Sequence, residues 1–95
     1  MHIVWLDQAL IDLDDLIEYV SLRNPTAAIE QDMHVHRAVE RLAAYPKLGK
    51  QGRLRLTREM VIPHTSFIAL SRIQAEEEEV HILRILHSSQ KWPQE

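Results

Sequence analysis

Val80-His81-Ile82-Leu83-Arg84-Ile85-Leu86 is the stretch that decides the fold. Its apolar residues occupy both alternating faces, which predicts a strand that is buried on two sides at a central position in a sheet. Two further β-prone segments precede it, Leu54 to Ile62 and Phe67 to Ile73. Their connections, Pro63-His64-Thr65 and Gln74 to Glu79, are short, so we expect the three strands to pair antiparallel in sequence order.

Two amphipathic helices are predicted upstream of these strands. The first follows the short β-prone segment Ile3-Val4-Trp5 and has Asp7 as its N-cap, and the second begins at Asn24-Pro25 and runs out near Tyr45-Pro46. Their apolar stripes contain Ala9, Leu10, Leu13, Leu16, Ile17 and Val20 in the first helix, and Ala28, Ile29, Met33, Val35, Val39 and Leu42 in the second. The order β-α-α-β-β-β predicts an α+β fold in which an antiparallel two-helix hairpin packs on a three- to four-stranded antiparallel sheet.

Length and composition exclude several classes of protein. The 95 residues correspond to one domain, residues 1–95, and the 45% hydrophobic and 26% charged content is ordinary for a globular domain. The absence of cysteine excludes disulfides, zinc–thiolate sites and thiol catalysis. The N-terminus does not have the pattern of a signal peptide, and no apolar run reaches the ~20 residues that cross a bilayer. We therefore expect a cytoplasmic protein with no membrane association.

Charge is unevenly distributed along the chain. The formal net charge is -3, yet residues 47–75 carry six basic residues and only one acidic residue, Glu59. The basic residues are Lys47, Lys50, Arg53, Arg55, Arg58 and Arg72. Nucleic-acid-binding domains usually have a basic balance or a large basic face, so this pattern predicts at most a local basic patch. Solvated charges in a loop explain it equally well.

Several short motifs occur in order along the chain. They are Trp5 with Ala9; Asn24-Pro25 with Ala27-Ala28; Pro46-Lys47-Leu48-Gly49-Lys50 with Gly52; Thr57-Arg58-Glu59 with Val61; and Ile82-Leu83-Arg84-Ile85-Leu86-His87 followed by Gln90-Lys91-Trp92-Pro93. With this order and spacing, the chain resembles the RelE/ParE toxin superfamily from Ile3 to Pro93. The ending is the most specific part of the resemblance, and it is more similar to the ParE-type branch than to the RelE-type branch.

The resemblance implies the toxin component of a type II toxin–antitoxin module. Such a toxin is held inactive by a cognate antitoxin, whose C-terminal segment wraps it with a helix and an extended strand. ParE-type members inhibit DNA gyrase without established catalysis of their own, whereas RelE-type members are endoribonucleases that cut mRNA in the ribosomal A site. We therefore expect a gyrase inhibitor that causes growth arrest and serves plasmid stabilization. The alternatives are mRNA cleavage and a non-toxic protein-binding module.

The residues available for RNA cleavage are incomplete. Metal-free cleavage needs a proton acceptor, a cation for the phosphorane and an acid for the leaving oxygen. If the chain is a nuclease, the candidates for these roles are Arg58, Glu59, Arg84 and His87. The RelE-type pattern also has a basic residue near the start of the penultimate strand, where this chain has Ser66-Phe67, and a tyrosine after the last strand, which is missing here. Together with the net charge of -3, this favours gyrase as the target.

Binding of the antitoxin or the target is assigned to basic residues and to the C-terminal segment. The candidates are Lys47, Lys50, Arg53, Arg55, Arg58, Arg84, His87 and Trp92. An ion pair with an acidic residue is the alternative explanation for Arg84, and a lid over the core is the alternative for Trp92. We expect no metal site and no small-molecule cofactor, because the histidines are not spaced as chelating pairs and no phosphate-binding glycine loop occurs.

Overall fold

The computed structural model describes residues 1–93, which form two helices and five strands. In chain order these are β1 (His2–Trp5), α1 (Asp7–Ser21), α2 (Pro25–Arg41), β2 (Lys50–Gln51), β3 (Arg58–Val61), β4 (Phe67–Gln74) and β5 (Glu79–His87). The predicted arrangement of one strand, two helices and then the remaining strands is confirmed. Within residues 1–93, neither helix combines the length and apolar character needed to pass through a membrane.

Both helices begin close to the predicted residues. Asn24 caps α2, because its Oδ1 accepts a hydrogen bond from the Ala27 N–H at 3.1 Å and Pro25 occupies the first helical turn. The prediction for α1 is wrong by one residue: its N-cap is Leu6, which makes no side-chain capping bond. Asp7 is instead the first helical residue, where its negative charge is favourable at the positive end of the helix dipole.

The strands form one mixed sheet in the order β1-β5-β4-β3-β2. β5 is an interior strand between β1 and β4, as its two apolar faces predict, and β3, β4 and β5 are antiparallel as expected. The sheet has five strands rather than three to four, and β1 pairs parallel to β5. The two residues of β2 are too few to show a strand pattern, and the direction of β1 depends on where the helical hairpin returns the chain.

The strand predicted for Leu54 to Ile62 is shorter in the structure. Residues 54–57 form a turn in which the Thr57 hydroxyl donates to the Leu54 carbonyl at 2.6 Å and the Thr57 N–H donates to the same carbonyl at 3.3 Å. Leu56 has a left-handed backbone with φ of 61°. A threonine side chain that bonds back to the chain competes with strand formation, and here it prevails over the β-prone composition.

The helices pack on one face of the sheet. Met60, Ala69 and Ile85 form a cross-strand row of the core on that face. Ile29 and Met33, which were expected within the apolar stripe of α2, are 65% and 43% exposed. α2 packs mainly on α1, while α1 packs on β5, so α2 buries a narrower arc than its apolar residues predict. That arc consists of Ala28, Val35, Ala38 and Val39.

Candidate functional site

Arg84 lies on β5 and forms an ion pair with Asp12 of α1. Its Nε donates to Asp12 Oδ2 at 2.7 Å and its Nη2 donates to Oδ1 at 3.0 Å, so one planar guanidinium holds both carboxylate oxygens. The Ile85 N–H also donates to Oδ2 at 3.0 Å. Because β1 pairs with β5 only as far as Ile82, the carboxylate takes the place of a strand partner there. The ion pair considered as the alternative explanation for Arg84 is therefore confirmed.

The pKa of Asp12 reflects burial and hydrogen bonding in opposition. Burial acts to raise the pKa of this carboxyl, but the hydrogen bonds from Arg84, Gln8 and the Ile85 N–H together outweigh it and hold the pKa below its ordinary value of 3.8. The hydrogen bond with Asp12 in turn raises the pKa of the Arg84 guanidinium. Both groups are therefore charged at neutral pH, and their contact fastens α1 to β5.

Trp92 extends this contact onto the C-terminal segment. The centroid of its ring lies 5.6 Å from Cζ of Arg84, a cation–π distance. Its carbonyl oxygen accepts a hydrogen bond from Nη1 of Arg53. The indole Nε1 is buried and has no hydrogen-bond partner within residues 1–93. Trp92 thus contacts Arg84 through its ring and Arg53 through its carbonyl oxygen, and it lies outside the core cluster beneath the helices.

Arg58 and Glu59 diverge, as the alternation of residues along a strand predicts. The Glu59 side chain is only 2% exposed; its Oε2 accepts a hydrogen bond from the Arg53 N–H at 2.9 Å, and its Oε1 lies 3.5 Å from Arg53 Nε. Arg58 donates through Nη2 to the Gly49 carbonyl at 3.1 Å. Glu59 is therefore a buried anchor for the segment that follows β2, and Arg58 holds the segment that precedes it.

His87 ends β5 and begins the C-terminal segment. Its ring centroid lies 6.2 Å from that of Phe67. Its Nδ1 accepts a hydrogen bond from the Ser89 N–H at 3.1 Å and lies 2.6 Å from the Ser89 hydroxyl. An Nδ1 that accepts leaves the proton of a neutral ring on Nε2.

The four candidates for RNA cleavage lie on two faces of the sheet. Glu59 and Arg84 both pair with Leu70, so they share the face opposite to the helices. Arg58 and His87 lie on the other face, because they alternate with Glu59 and Arg84 along their strands. Their partners on β4, Ser71 and Phe67, are four residues apart, which is about 13 Å at ~3.3 Å per residue. Residues 1–93 therefore do not bring these four groups to one reacting centre.

An apolar groove of about 440 Å³ lies between α2 and the outer edge of β3. Its apolar lining consists of Ala38, Leu48, Met60, Val61, Pro63 and Ile68; Arg41, Lys50 and Arg53 add three basic groups and Glu59 adds one acidic group. β2 pairs only with Arg58 and Glu59, so no further strand of residues 1–93 lies beside the backbone edge of β3 at Met60 and Val61. An open strand edge next to an apolar groove is suited to binding a peptide as an added strand or a helix.

A second hollow, the arginine cleft, has a volume of about 760 Å³ and is lined by Arg53, Arg55, Arg58 and Arg72 with other residues of the ranges 51–58 and 72–74. It brings together four of the six basic residues of the predicted patch, including Arg72, which is not among the candidate site residues. Turn 54–57 and strand β4 meet here, a contact that spacing along the chain does not reveal. Lys50 lines the apolar groove instead, and Lys47 is exposed and lines neither hollow.

Residues 3–92 match the family model described as the ParE toxin of the type II toxin–antitoxin system parDE. The chain belongs to the ParE toxin family. It is 37% identical over 93 residues to the protein named putative toxin Y4kP of Sinorhizobium fredii. The aligned region covers 98% of this chain and 94% of that relative. It is 30% identical over 88 residues to toxin RelE2 of Caulobacter vibrioides. This aligned region covers 93% of this chain and 96% of RelE2.

Solved structures of toxin–antitoxin systems share the fold of this ParE-family chain. The chromosomal ParDE system from P. aeruginosa superposes with a TM-score of 0.81 at 23% identity, over 92% of this chain and 95% of that chain. The RelBE2 toxin–antitoxin complex from Mycobacterium tuberculosis superposes with a TM-score of 0.61 at 22% identity, over 90% and 88% of the two chains. The predicted resemblance to the RelE/ParE superfamily and the predicted α+β class are thus confirmed.

Proposed function

We propose that this ParE-family toxin is neutralised by a cognate antitoxin and that, once released, it inhibits DNA gyrase. Membership of the ParE family and the ParE-type ending from Gln90 to Pro93 support gyrase as the target. The observation that carries the choice over RNA cleavage is the separation of the four candidate nuclease groups over two faces of the sheet. An inhibitor that occupies a protein surface does not need such groups to converge.

Glu59 and Arg84, the two nuclease candidates on the sheet face opposite to the helices, are also held in structural contacts. The Glu59 carboxylate is almost fully buried and accepts a hydrogen bond from Arg53, so it is not placed to take a proton from a ribose hydroxyl. The Arg84 guanidinium is held by both oxygens of Asp12. These contacts favour a structural role for Glu59 and Arg84 over a role in RNA cleavage.

The apolar groove is the surface that we assign to the antitoxin. The two solved structures compared above belong to toxin–antitoxin systems. An extended antitoxin segment would pair with the open edge of β3 at Met60 and Val61 and place apolar side chains against Ala38 and Ile68. The basic residues from Lys47 to Arg58 would meet its acidic residues.

The C-terminal segment from His87 to Trp92, together with the Arg84 side chain on which Trp92 stacks, is the proposed contact with the target. The stack of Trp92 on Arg84 and the hydrogen bond from Arg53 position the indole. Partly exposed aromatic and arginine side chains are the types that most often dominate the energetics of protein interfaces.

The relative named RelE2, at 30% identity, makes ribosome-dependent mRNA cleavage the second candidate function. The same expression experiment serves both candidates. Production of this chain alone in bacteria should arrest growth, and coexpression of the small gene next to its own should relieve the arrest. A chain that leaves growth unchanged would instead be a non-toxic binding module.

Purified gyrase distinguishes the two targets. The chain should abolish supercoiling of relaxed plasmid or cause cleaved plasmid to accumulate, while a topoisomerase I reaction is unaffected. Trp92→Ala should weaken this inhibition by roughly tenfold, as expected when an aromatic anchor is lost, and Tyr19→Ala, at a residue on α1 that is 58% exposed, should not. Unchanged gyrase activity together with ribosome-dependent cuts in mRNA would establish the RelE-like activity instead.

A further inference from the structure

The arginine cleft concentrates positive charge. Four arginines line it, and no acidic residue is among its lining residues within 1–93. Arg53 is partly neutralised by Glu59 at 3.5 Å, but within residues 1–93 Arg55, Arg58 and Arg72 form no ion pair. These uncompensated charges lie close together in a chain whose net charge is -3. Like charges gathered in one hollow repel one another, and an anionic ligand would remove that repulsion.

Two of these arginines also have hydrogen-bond donors without acceptors. The Nε atoms of Arg58 and Arg72 are buried and have no partner within residues 1–93. Buried N–H groups are normally satisfied, and a carboxylate would supply short, charge-assisted bonds. The bond from Arg58 Nη2 to the Gly49 carbonyl at 3.1 Å already fixes the orientation of one of the two guanidiniums.

The backbone edge of β4 is open beside the cleft. Pairing between β3 and β4 ends at Arg58 and Ser71, so residues 72–74 have β5 on one side and no strand of the described chain on the other. Ile73 and Gln74 of this edge line the cleft. An extended peptide can pair with such an edge through its own backbone, which a nucleic acid cannot do. The lining also contains no aromatic side chain on which a base would stack.

We propose that the arginine cleft binds an extended acidic segment of the antitoxin, whose carboxylates form hydrogen bonds with Arg58 and Arg72. This inference rests on the antitoxin docking proposed above and adds a second anchoring point to it. Arg53 lines both hollows, so the arginine cleft continues the apolar groove. Leu54 and Leu56, which are 37% and 72% exposed, provide apolar contacts for aliphatic side chains that alternate with the acidic ones.

A binding experiment with defined probes tests the cleft directly. The probes are a fluorescein-labelled octapeptide of alternating aspartate and leucine, the same peptide with asparagine in place of aspartate, and an oligothymidylate of equal charge. Fluorescence anisotropy would be measured in low and high sodium chloride with the wild type, Arg72→Gln, Arg58→Gln and the control Arg23→Gln. Arg72→Gln carries most weight, because Arg58 also supports Gly49, and Arg23 lies outside both hollows. Circular dichroism would establish that each variant is folded.

The aspartate peptide should bind at least tenfold more tightly than the asparagine peptide, and salt should weaken it. Arg72→Gln and Arg58→Gln should each lower its affinity about tenfold, in line with the loss of a charge-assisted hydrogen bond, and Arg23→Gln should have no effect. Equal binding of both peptides, no binding, or unchanged affinity in Arg72→Gln would overturn the inference. Tighter binding of the oligothymidylate, lost in the same variants, would replace it with a nucleic-acid site.

These outcomes are separable from those of the proposed function. If the neighbouring gene product relieves growth arrest but the aspartate peptide does not bind, only the role of the arginine cleft is wrong. If the peptide binds as expected but the chain neither arrests growth nor associates with that gene product, the toxin–antitoxin function is wrong and the cleft remains an acidic-peptide site.

Discussion

Asp12 links α1 to β5 and, through Arg84, to the C-terminal segment, because Arg84 contacts both the Asp12 carboxylate and the Trp92 ring. Asp12→Asn keeps the shape of the side chain but leaves Arg84 without its counter-ion. We expect the free energy of unfolding to fall by about 1–3 kcal/mol, the cost of losing hydrogen bonds to a charged group. Urea unfolding measures the loss. Asp14→Asn, on the exposed side of the same helix, should change it little.

Acid should remove the same contribution in the wild type. The pKa of Asp12 is lowered in the folded chain, so the unfolded chain takes up the proton first as pH falls. The stabilisation is therefore complete above the ordinary value of 3.8 and is lost as pH drops through the lower folded value. The difference between wild type and Asp12→Asn should be constant from neutral pH to about pH 5 and shrink below 3.8. A difference that persists at low pH would show that the carboxylate is not its source.

Individual elements differ in how well the sequence encodes them. β5 and the start of α2 are predicted correctly because apolar residues on both strand faces, and an Asn24-Pro25 cap, are local signals. The ion pair that positions Arg84 joins residues 72 positions apart, and apolar periodicity places Asp12 on the acidic side of its helix. Arg72 is likewise brought to the basic turn only by strand pairing. The site therefore depends on long-range contacts that no local pattern contains.

The short β2 strand depends on one glycine for its position against β3. Gly49 has φ of 89°, and a Cβ atom there would collide with the Glu59 carbonyl. Gly49→Ala should lower the free energy of unfolding by about 1–3 kcal/mol, as expected for strained backbone, and displace β2 from between the apolar groove and the arginine cleft. Thermal unfolding measures the first effect, and Lys47→Ala is the control on an exposed neighbour. An unchanged melting temperature would mean that β2 shifts without cost.

At the scale of the whole molecule, the helices cover one face of the sheet and leave strand edges open. Pairing of β1 with β5 stops at Ile82, pairing of β2 with β3 stops at Glu59, and pairing of β3 with β4 stops at Ser71. Asp12 satisfies the first of these edges from within the chain. The other two adjoin the apolar groove and the arginine cleft, so a partner that satisfies both would follow one continuous path around β2.

Because this proposed path runs through the apolar groove, a charge introduced there by substitution should impair neutralisation of the toxin by its antitoxin most strongly. Val61 lines the groove and is 67% exposed, and Ile29 on α2 is 65% exposed but lies outside it. Val61→Lys would place an ammonium group where the proposed antitoxin segment would bury apolar surface, and should weaken antitoxin binding by roughly tenfold or more. The chain would still arrest growth when expressed alone, but the neighbouring gene product would no longer relieve the arrest. Ile29→Lys, with an equal change in charge, should leave the relief intact. Equal effects of the two substitutions would place the antitoxin elsewhere on the molecule.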